Sequence, residues 1–409
     1  MSIELQNLQR LAVTEEATGS FAIDVTASAT YRDVPIQEGS LQVTLNKPAL
    51  DPNTVQQNID ALAQHVYGPR SATMSFTCVL GATGVAAGDG DSPPNFAAAA
   101  LTQILRTTFG GAFSAGAGTD VSSVTDANKF DATSLTAFDD GGVIGWPDSA
   151  GQIHAHEIQA VAADITTKID LPATPDVADV LYAGMTIYPT NDPDKSLQFI
   201  LEGAEADDRW LLMGGQLSSA PAISRTLGEL PTITFNFTFA DWALEPSAAI
   251  TAAAYGTFSP THVHGYFRAK AASITLSARA LLCPATVEYS LSSPVFGPVM
   301  CGSGVNTIKR WRRVRAVPFV EVSITVPYED QTWFTARDNR TIYHLEDQMG
   351  TTAGGIVLIT VPAAYVVDVQ RVEQAGLAYQ RITFRSTIDA YVQTSTDELA
   401  VAAMRIHFL

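Results

Sequence analysis

The chain has 409 residues, 46% hydrophobic and only 16% charged, with 42 acids against 24 bases for a formal net charge of -18. An average soluble protein is about 25% charged, and interface cores are depleted in charge, so the composition reads either as a surface covered by partners or as a sparsely charged monomer. The acidic balance excludes a conventional nucleic-acid binder, which neutralises phosphates with a basic face; it does not exclude a protein past which nucleic acid slides without sticking.

The length predicts two domains. Cys78, Cys283 and Cys301 supply neither a disulfide framework nor a zinc spacing. The opening MSIELQNLQR lacks the apolar segment of a secretory signal, and no apolar run reaches the ~18 residues of a membrane span. A chain folded in a cytosol, with no membrane span, is expected.

In chain order, alternating apolar and polar residues predict strands over 20–29 (SFAIDVTASA), 40–46 (SLQVTLN) and 72–80 (ATMSFTCVL). Between the last two lies an excursion, residues 48–70. Val55, Ile59, Leu62 and Val66 in it share a helical face. It reads as a helix over 54–67, or as a segment that stays irregular until a partner orders it. A helix over 95–109 follows, capped by Asn95 and ended by Gly110 and Gly111, with Ala97, Leu101, Ile104, Leu105 and Thr108 as its apolar stripe. Further strands are expected over 196–201, 210–213 and 232–239. Residues 246–264, uncharged and rich in small side chains, mark the boundary between domains 1–250 and 251–409. The second half offers strands over 271–278, 320–326, 356–361, 363–369 and 379–384, and a short helix over 341–349.

Motifs for chemistry are scarce. The glycine-rich loop 81–90 carries Asp89 and is followed by Asp91, where a phosphate loop needs lysine and a hydroxyl, and its acids lack calcium-loop spacing. His154 and His156, and His262 and His264, could each share a strand face, but nothing in the sequence joins the two pairs; they read as solvated or hydrogen-bonded histidines. No nucleophile elbow, Cys–His arrangement or carboxylate pair stands out. The expectation is no enzyme, cofactor or metal. Lys309, Arg310, Arg312, Arg313 and Arg315 crowd seven positions around Trp311. They could contact DNA, dock onto acids of an identical neighbour, or protect a solvated strand edge; docking suits so acidic a chain best.

The strand TITFNFTF sets Ile233, Phe235, Phe237 and Phe239 on one face. Thr232, Thr234, Asn236 and Thr238 share the other, which carries no charge at all. Plain outer surface is one reading of so neutral and hydroxyl-rich a face.

The order of segments resembles the tail tube proteins of long-tailed, non-contractile bacteriophages. The residues that carry the likeness are 37–81, the helix FAAAALTQILRTTFG, and the second-half runs PFVEVSITVPYEDQTWFTARDN and GTTAGGIVLITVPAAYVVDVQRVEQAGLAYQRITFRST. It is looser between 112 and 200. The resemblance implies a mainly β fold of two tail-tube-like β-sandwich or barrel domains, each with a flanking α-helix. It also implies homo-oligomeric rings, three chains giving pseudo-sixfold symmetry, stacked into the tail tube of a virion assembled in the host cytoplasm. Implied partners are tail terminator, tape measure and tail-tip proteins, with double-stranded DNA passing without specific binding. Within that frame Val55, Ile59, Leu62 and Val66 contact the next ring, the basic cluster contacts a neighbouring subunit, and Thr232, Thr234, Asn236 and Thr238 face the lumen. The alternatives are a single tail-tip ring of the same fold, or a two-domain β-rich hydrolase or carbohydrate-binding module.

Overall fold

The computed structural model describes residues 10–16, 22, 30–46, 49–50, 66–67, 70–81, 100–114, 118–126, 128–136, 138–168, 175–190, 196–203, 209–244, 265–271, 280–282, 284–291, 296–299, 310–313, 319–329, 331–374, 376–387, 399 and 402–409. The fold is mainly β, with two helices among these residues, Ala100–Phe109 and Thr332–Asp338. Eight strands make one continuous antiparallel sheet. Their spatial order is Gln42–Asn46, Ser71–Val79, Thr232–Phe239, Ala222–Thr226, Thr286–Leu291, Val320–Pro327, Leu377–Ser386 and the C-terminal half of Val357–Gln374.

The order divides into two runs of four, and each run is built alike. In the first, Gln42–Asn46 leaves the sheet for an excursion bearing a small strand pair, Ala49–Leu50 with Val66–Tyr67, and returns as Ser71–Val79. In the second, Thr286–Leu291 leaves for an excursion bearing Phe296–Val299 paired with Arg310–Arg313, and returns as Val320–Pro327. A helix follows each return, and a hairpin later completes each run, Ala222–Thr226 with Thr232–Phe239 and Val357–Gln374 with Leu377–Ser386. Registers agree as well. Leu45 lies opposite Ala72 as Leu291 lies opposite Val320, and Phe235 opposite Phe76 as Ile382 opposite Ile324. The fold is an internal duplication.

Outer strands repeat in the same way. Arg10–Glu15, Leu197–Glu202, Arg209–Leu217 and Asp241–Leu244 pair in series. Their counterparts are Gly265–Ala271, Ile342–Met349, the N-terminal half of Val357–Gln374, and Arg405–Phe408. One apolar core runs between inner and outer strands. Period-two alternation explains why: Ala72, Met74, Phe76 and Cys78 point into it, as do the four apolar residues of Thr232–Phe239. Phe76, Phe199, Phe237 and Phe239 stack there, with the Phe199 and Phe237 centroids 5.2 Å apart. Gly215 has no room for a side chain, since a Cβ would stand 2.5 Å from the Phe239 ring. Helix Ala100–Phe109 buries Leu101, Ile104 and Leu105 of its expected stripe.

The largest described difference between the repeats is an inserted barrel. Only residues 339–341 separate the second helix from Ile342–Met349. In the first repeat, a stem of Gly110–Ser114 paired with Met185–Pro189 carries a closed six-stranded barrel between helix and outer strand. Its strands are Thr119–Asp126, Lys129–Ala132, Val143–Pro147, Ile153–Val161, Ile165–Thr167 and Val180–Ala183. Phe130, Trp146, Ile158 and Leu181 fill its own core.

Several local expectations change. Residues 342–349 form a strand where a short helix was expected, and the helix is Thr332–Asp338, earlier in the chain. The reason is tertiary: Ile342–Met349 lies between two strands and is buried from Tyr343 to Met349, a demand no helix meets. Val66 and Tyr67 are extended rather than the end of a helix over 54–67; residues 54–65 lie outside the described residues. The strands expected over 356–361 and 363–369 are one, Val357–Gln374, which passes from the outer to the inner sheet with its register shifting between Val366 and Asp368. Only Ala271 of the strand expected over 271–278 is described, as the end of Gly265–Ala271. The strand expected over 20–29, apart from Ala22, and the boundary over 246–264 lie outside the described residues.

Candidate functional site

The inner sheet turns one face to the core and leaves the other open. On the first repeat that open face is Gln42, Thr44 and Asn46, then Ser71, Thr73, Ser75 and Thr77, then Thr232, Thr234, Asn236 and Thr238, then Ala222, Ser224 and Thr226. None of these is charged. Thr232, Thr234, Asn236 and Thr238 lie together in the middle of it, half-buried by their cross-strand neighbours. Hydroxyls pair with each other, Thr77 Oγ1 to Thr234 Oγ1 at 2.8 Å and Ser323 Oγ to Thr383 Oγ1 at 3.1 Å in the second repeat.

The second repeat adds charge, but mostly in neutral pairs. Arg381 donates to Glu288 at 2.7 Å and Arg385 to Glu321 at 2.9 Å, while Asp368 accepts from the Gln370 amide. Each arginine on this face is thus tied to a carboxylate, Arg385 on the adjacent strand and Arg381 two strands away. The described face as a whole has a slight acidic excess and offers a phosphate no free cluster of cations.

The sheet has two open edges. Among the described residues, Gln42–Asn46 pairs on one side only, and so does the stretch of Val357–Gln374 beyond Val366. Their counterparts in the other repeat do pair, with each other: Ala222–Thr226 lies against Thr286–Leu291, with Ile223 opposite Tyr289. This junction joins the repeats. Behind it Arg225 forms a 2.7 Å ion pair with Asp347, which also accepts the Tyr289 hydroxyl at 3.0 Å. All three are buried. Burial raises the Asp347 carboxyl, with Arg225 opposing, and burial with the Asp347 charge raises the Tyr289 phenol. The junction was missed from sequence. Its signal is present in the alternating Val287, Tyr289 and Leu291 of TVEYSL, and in AISRT ahead of the turn at Gly228.

The other predicted residues scatter. Arg310, Arg312 and Arg313 lie on the strand paired with Phe296–Val299, a two-stranded sheet that is not hydrogen-bonded into the inner sheet among the described residues. Lys309 and Arg315 lie outside the described residues, as do Val55, Ile59 and Leu62; Val66 lies opposite Leu50. His262 and His264 are likewise outside them. His154 meets Asp148 at 3.1 Å, and His156 meets Glu346 at 3.0 Å. Among the described residues no group of His, Cys, Asp and Glu could hold a metal, and no helix is long and apolar enough to cross a membrane.

The second histidine belongs to a buried polar seam that fastens the barrel to the second repeat. Strand Ile153–Val161 is covered by Ile165–Thr167 only from Ile158 onward. Side chains finish the exposed ladder. Gln348 accepts from the Ala155 amide and donates to the Ile153 carbonyl, Arg268 donates to the Ala155 carbonyl, and Glu346 accepts from the Glu157 amide. Burial would raise the Glu157 carboxyl, but Arg405 and Lys168 outweigh it and hold it well below the usual carboxylate range. Burial likewise opposes His156 and His344 at Glu346, and the histidines prevail.

Compared with known proteins, the sequence matches no family model and no curated protein.

Proposed function

We propose that the chain is the ring-forming subunit of a phage tail tube, a structural conduit for DNA rather than an enzyme. The observation that carries the proposal is the junction of Ala222–Thr226 with Thr286–Leu291 inside one chain. Its two repeat-equivalents, the outer part of Val357–Gln374 and Gln42–Asn46, stand open among the described residues at opposite ends of the same sheet. An interface that joins unlike edges head to tail makes a ring when its rotation closes, and closure removes the sheet edges that would otherwise invite aggregation.

The in-chain register sets the register between copies. Ala222 lies opposite Ser290, so Gln370 of one copy faces Thr44 of the next; Arg371 then faces Val43. Three copies supply about 24 inner strands, and at about 4.8 Å spacing these enclose a backbone diameter of roughly 37 Å before strand tilt widens it. The hydroxyl face lines that bore. It stays hydrated and gives a passing duplex, with one charge per ~1.7 Å, no row of cations to grip.

Cross-linking tests this directly. Within one chain Thr44 and Gln370 are separated by seven inter-strand spacings, roughly 33 Å, too far for an internal disulfide. Oxidation of the Thr44→Cys, Gln370→Cys double variant is expected to yield a ladder of covalent oligomers ending in a closed trimer, visible as rings by electron microscopy. Monomers alone, at concentrations where light scattering shows assembled wild type, would overturn the register; a wild type monomeric at every concentration would overturn the ring.

A further inference from the structure

The two repeats are joined twice. The inner junction is one line of strand pairing, Ala222–Thr226 against Thr286–Leu291. The outer one is made by the insertion. It leaves directly from the first repeat's helix, which is tied to Arg10–Glu15 by the 2.7 Å ion pair of Arg106 with Glu15. Its return strand, Met185–Pro189, pairs on one side with Gly110–Ser114 and on the other with Arg405–Phe408, an outer strand of the second repeat. The barrel it carries lies on that second repeat, with Val143, Ile153 and Ala155 packed against Ile356, Leu358 and Leu409. Two glycines mark the closeness of the fit. A Cβ at Gly145 would run into the Leu409 side chain, and one at Gly184 into the Phe408 carbonyl.

The second repeat is altered to receive the barrel. Both repeats carry the same register shift, between Leu197 and Phe199 and between Tyr343 and Leu345, which fixes their equivalence. Ala12, Ile200 and Leu211 of the first repeat then correspond to Arg268, Glu346 and Thr360 of the second. All six are buried. In the first repeat they are apolar and pack with Tyr31 and Met213. In the second they are polar and bond to the insertion: Arg268 to the Ala155 carbonyl, Glu346 to the Glu157 amide and His156, and Thr360 through His407 to Thr186. Buried polar groups cost free energy unless their bonds are made. The shared fold does without them, so they are there for the barrel.

We infer that the inserted barrel is a clamp that fixes the angle between the two repeats. A single line of strand pairing is a hinge. A second line on the other layer of the sandwich, ~10 Å away, stops that hinge from turning. The junction between copies in the proposed ring has no such clamp, since only residues 339–341 separate the second helix from the next strand. Each chain then enters assembly with its curvature already set, and that curvature selects three copies. This consequence rests on the proposed ring; the clamp itself does not.

Amide exchange on the full-length chain tests the clamp. Gly145→Glu and Gly184→Val wedge the insertion off Phe408 and Leu409, Arg268→Ala and Gln348→Ala remove hydrogen bonds of the seat, and all four are combined in one chain. The Ala155 and Glu157 amides, which donate to Gln348 and Glu346 across the seat, report undocking. Those amides and the junction strands Ala222–Thr226 and Thr286–Leu291 are expected to exchange about tenfold faster than in wild type. Ser71–Val79 and Val320–Pro327 should stay protected, showing both repeats folded, and rings seen by electron microscopy should vary in copy number. If the four substitutions together unfold a repeat, Gly145→Glu with Gly184→Val, both within the insertion, should act in the same direction. Junction strands that exchange at the wild-type rate, seat amides that stay protected, or rings of one copy number would overturn the inference. A wild type that forms no rings would instead overturn the proposed ring, and the exchange rates would still decide the clamp.

Discussion

His407 is the residue whose protonation the fold most plainly forbids. It is fully buried between the Thr186 and Thr360 hydroxyls, at 2.9 and 3.0 Å, and burial drives its pKa down to about 3. In the unfolded chain a histidine titrates near ~6.5. Between those values the unfolded chain takes up a proton that the folded chain refuses, so stability falls as pH falls. Glu157 and Glu346, held below their ordinary value of 4.5, add losses of the same sign below that pH. Urea unfolding at pH 6.5 and pH 4.5 isolates the histidine. His407→Gln keeps a donor and an acceptor, and should lose about 2–3 kcal/mol less than wild type across that interval. Other groups titrate alike in both proteins, so equal losses would refute the assignment.

A single strand, Thr232–Phe239, separates a packed face from an open one by alternation. Phe237 is 1% exposed and stacks on Phe76, Phe199 and Phe239. Phe237→Ala should cost about 3–5 kcal/mol in chemical denaturation, enough to threaten a fold of ordinary stability. Asn236, one residue away, faces the open side. Asn236→Lys should leave stability within about 0.5 kcal/mol of wild type and, in the proposed tube, leave rings intact yet slow DNA release from particles built with it, because each copy would add a cation to the proposed bore. Release at the wild-type rate from such particles would place this face away from the channel.

At the scale of the molecule, the two junctions of the sheet are chemically unequal. The in-chain junction is locked by the buried Arg225–Asp347 pair, whereas the position equivalent to Arg225 on the open edge is Glu373, which is exposed. The chain therefore holds its repeats together with a buried ion pair that the equivalent position on the outer edge lacks; in the proposed ring that edge meets another copy. Arg225→Met should cost about 3–5 kcal/mol by stranding the Asp347 charge. Arg225→Met with Asp347→Asn should recover much of that loss in a double-mutant cycle; strictly additive losses would mean the pair does not act as a unit. The barrel is the other asymmetry. Residues 119–183 hold eleven acids and two lysines, so a ring of such chains would set an acidic lobe on every second repeat.

Alternation alone determined most of the inner sheet. Gln42–Asn46, Ser71–Val79, Thr232–Phe239 and Val320–Pro327 are legible because each buries one face and wets the other, and period two survives without knowledge of neighbours. The uncharged face of Thr232–Phe239 was legible for the same reason. What tertiary structure decided is everything that depends on burial from both sides or on pairing between distant strands. Ile342–Met349 lost its alternation because the barrel seam covers one face and the core the other, so Glu346 and Gln348 are as buried as Leu345 and Met349. The duplication left no residue-by-residue trace, since equivalent positions as different as Val43 and Tyr289, or Arg225 and Glu373, keep only their register. Edges, finally, are a property of what a strand lacks, and no strand's own sequence records which of its two sides the chain leaves unpaired.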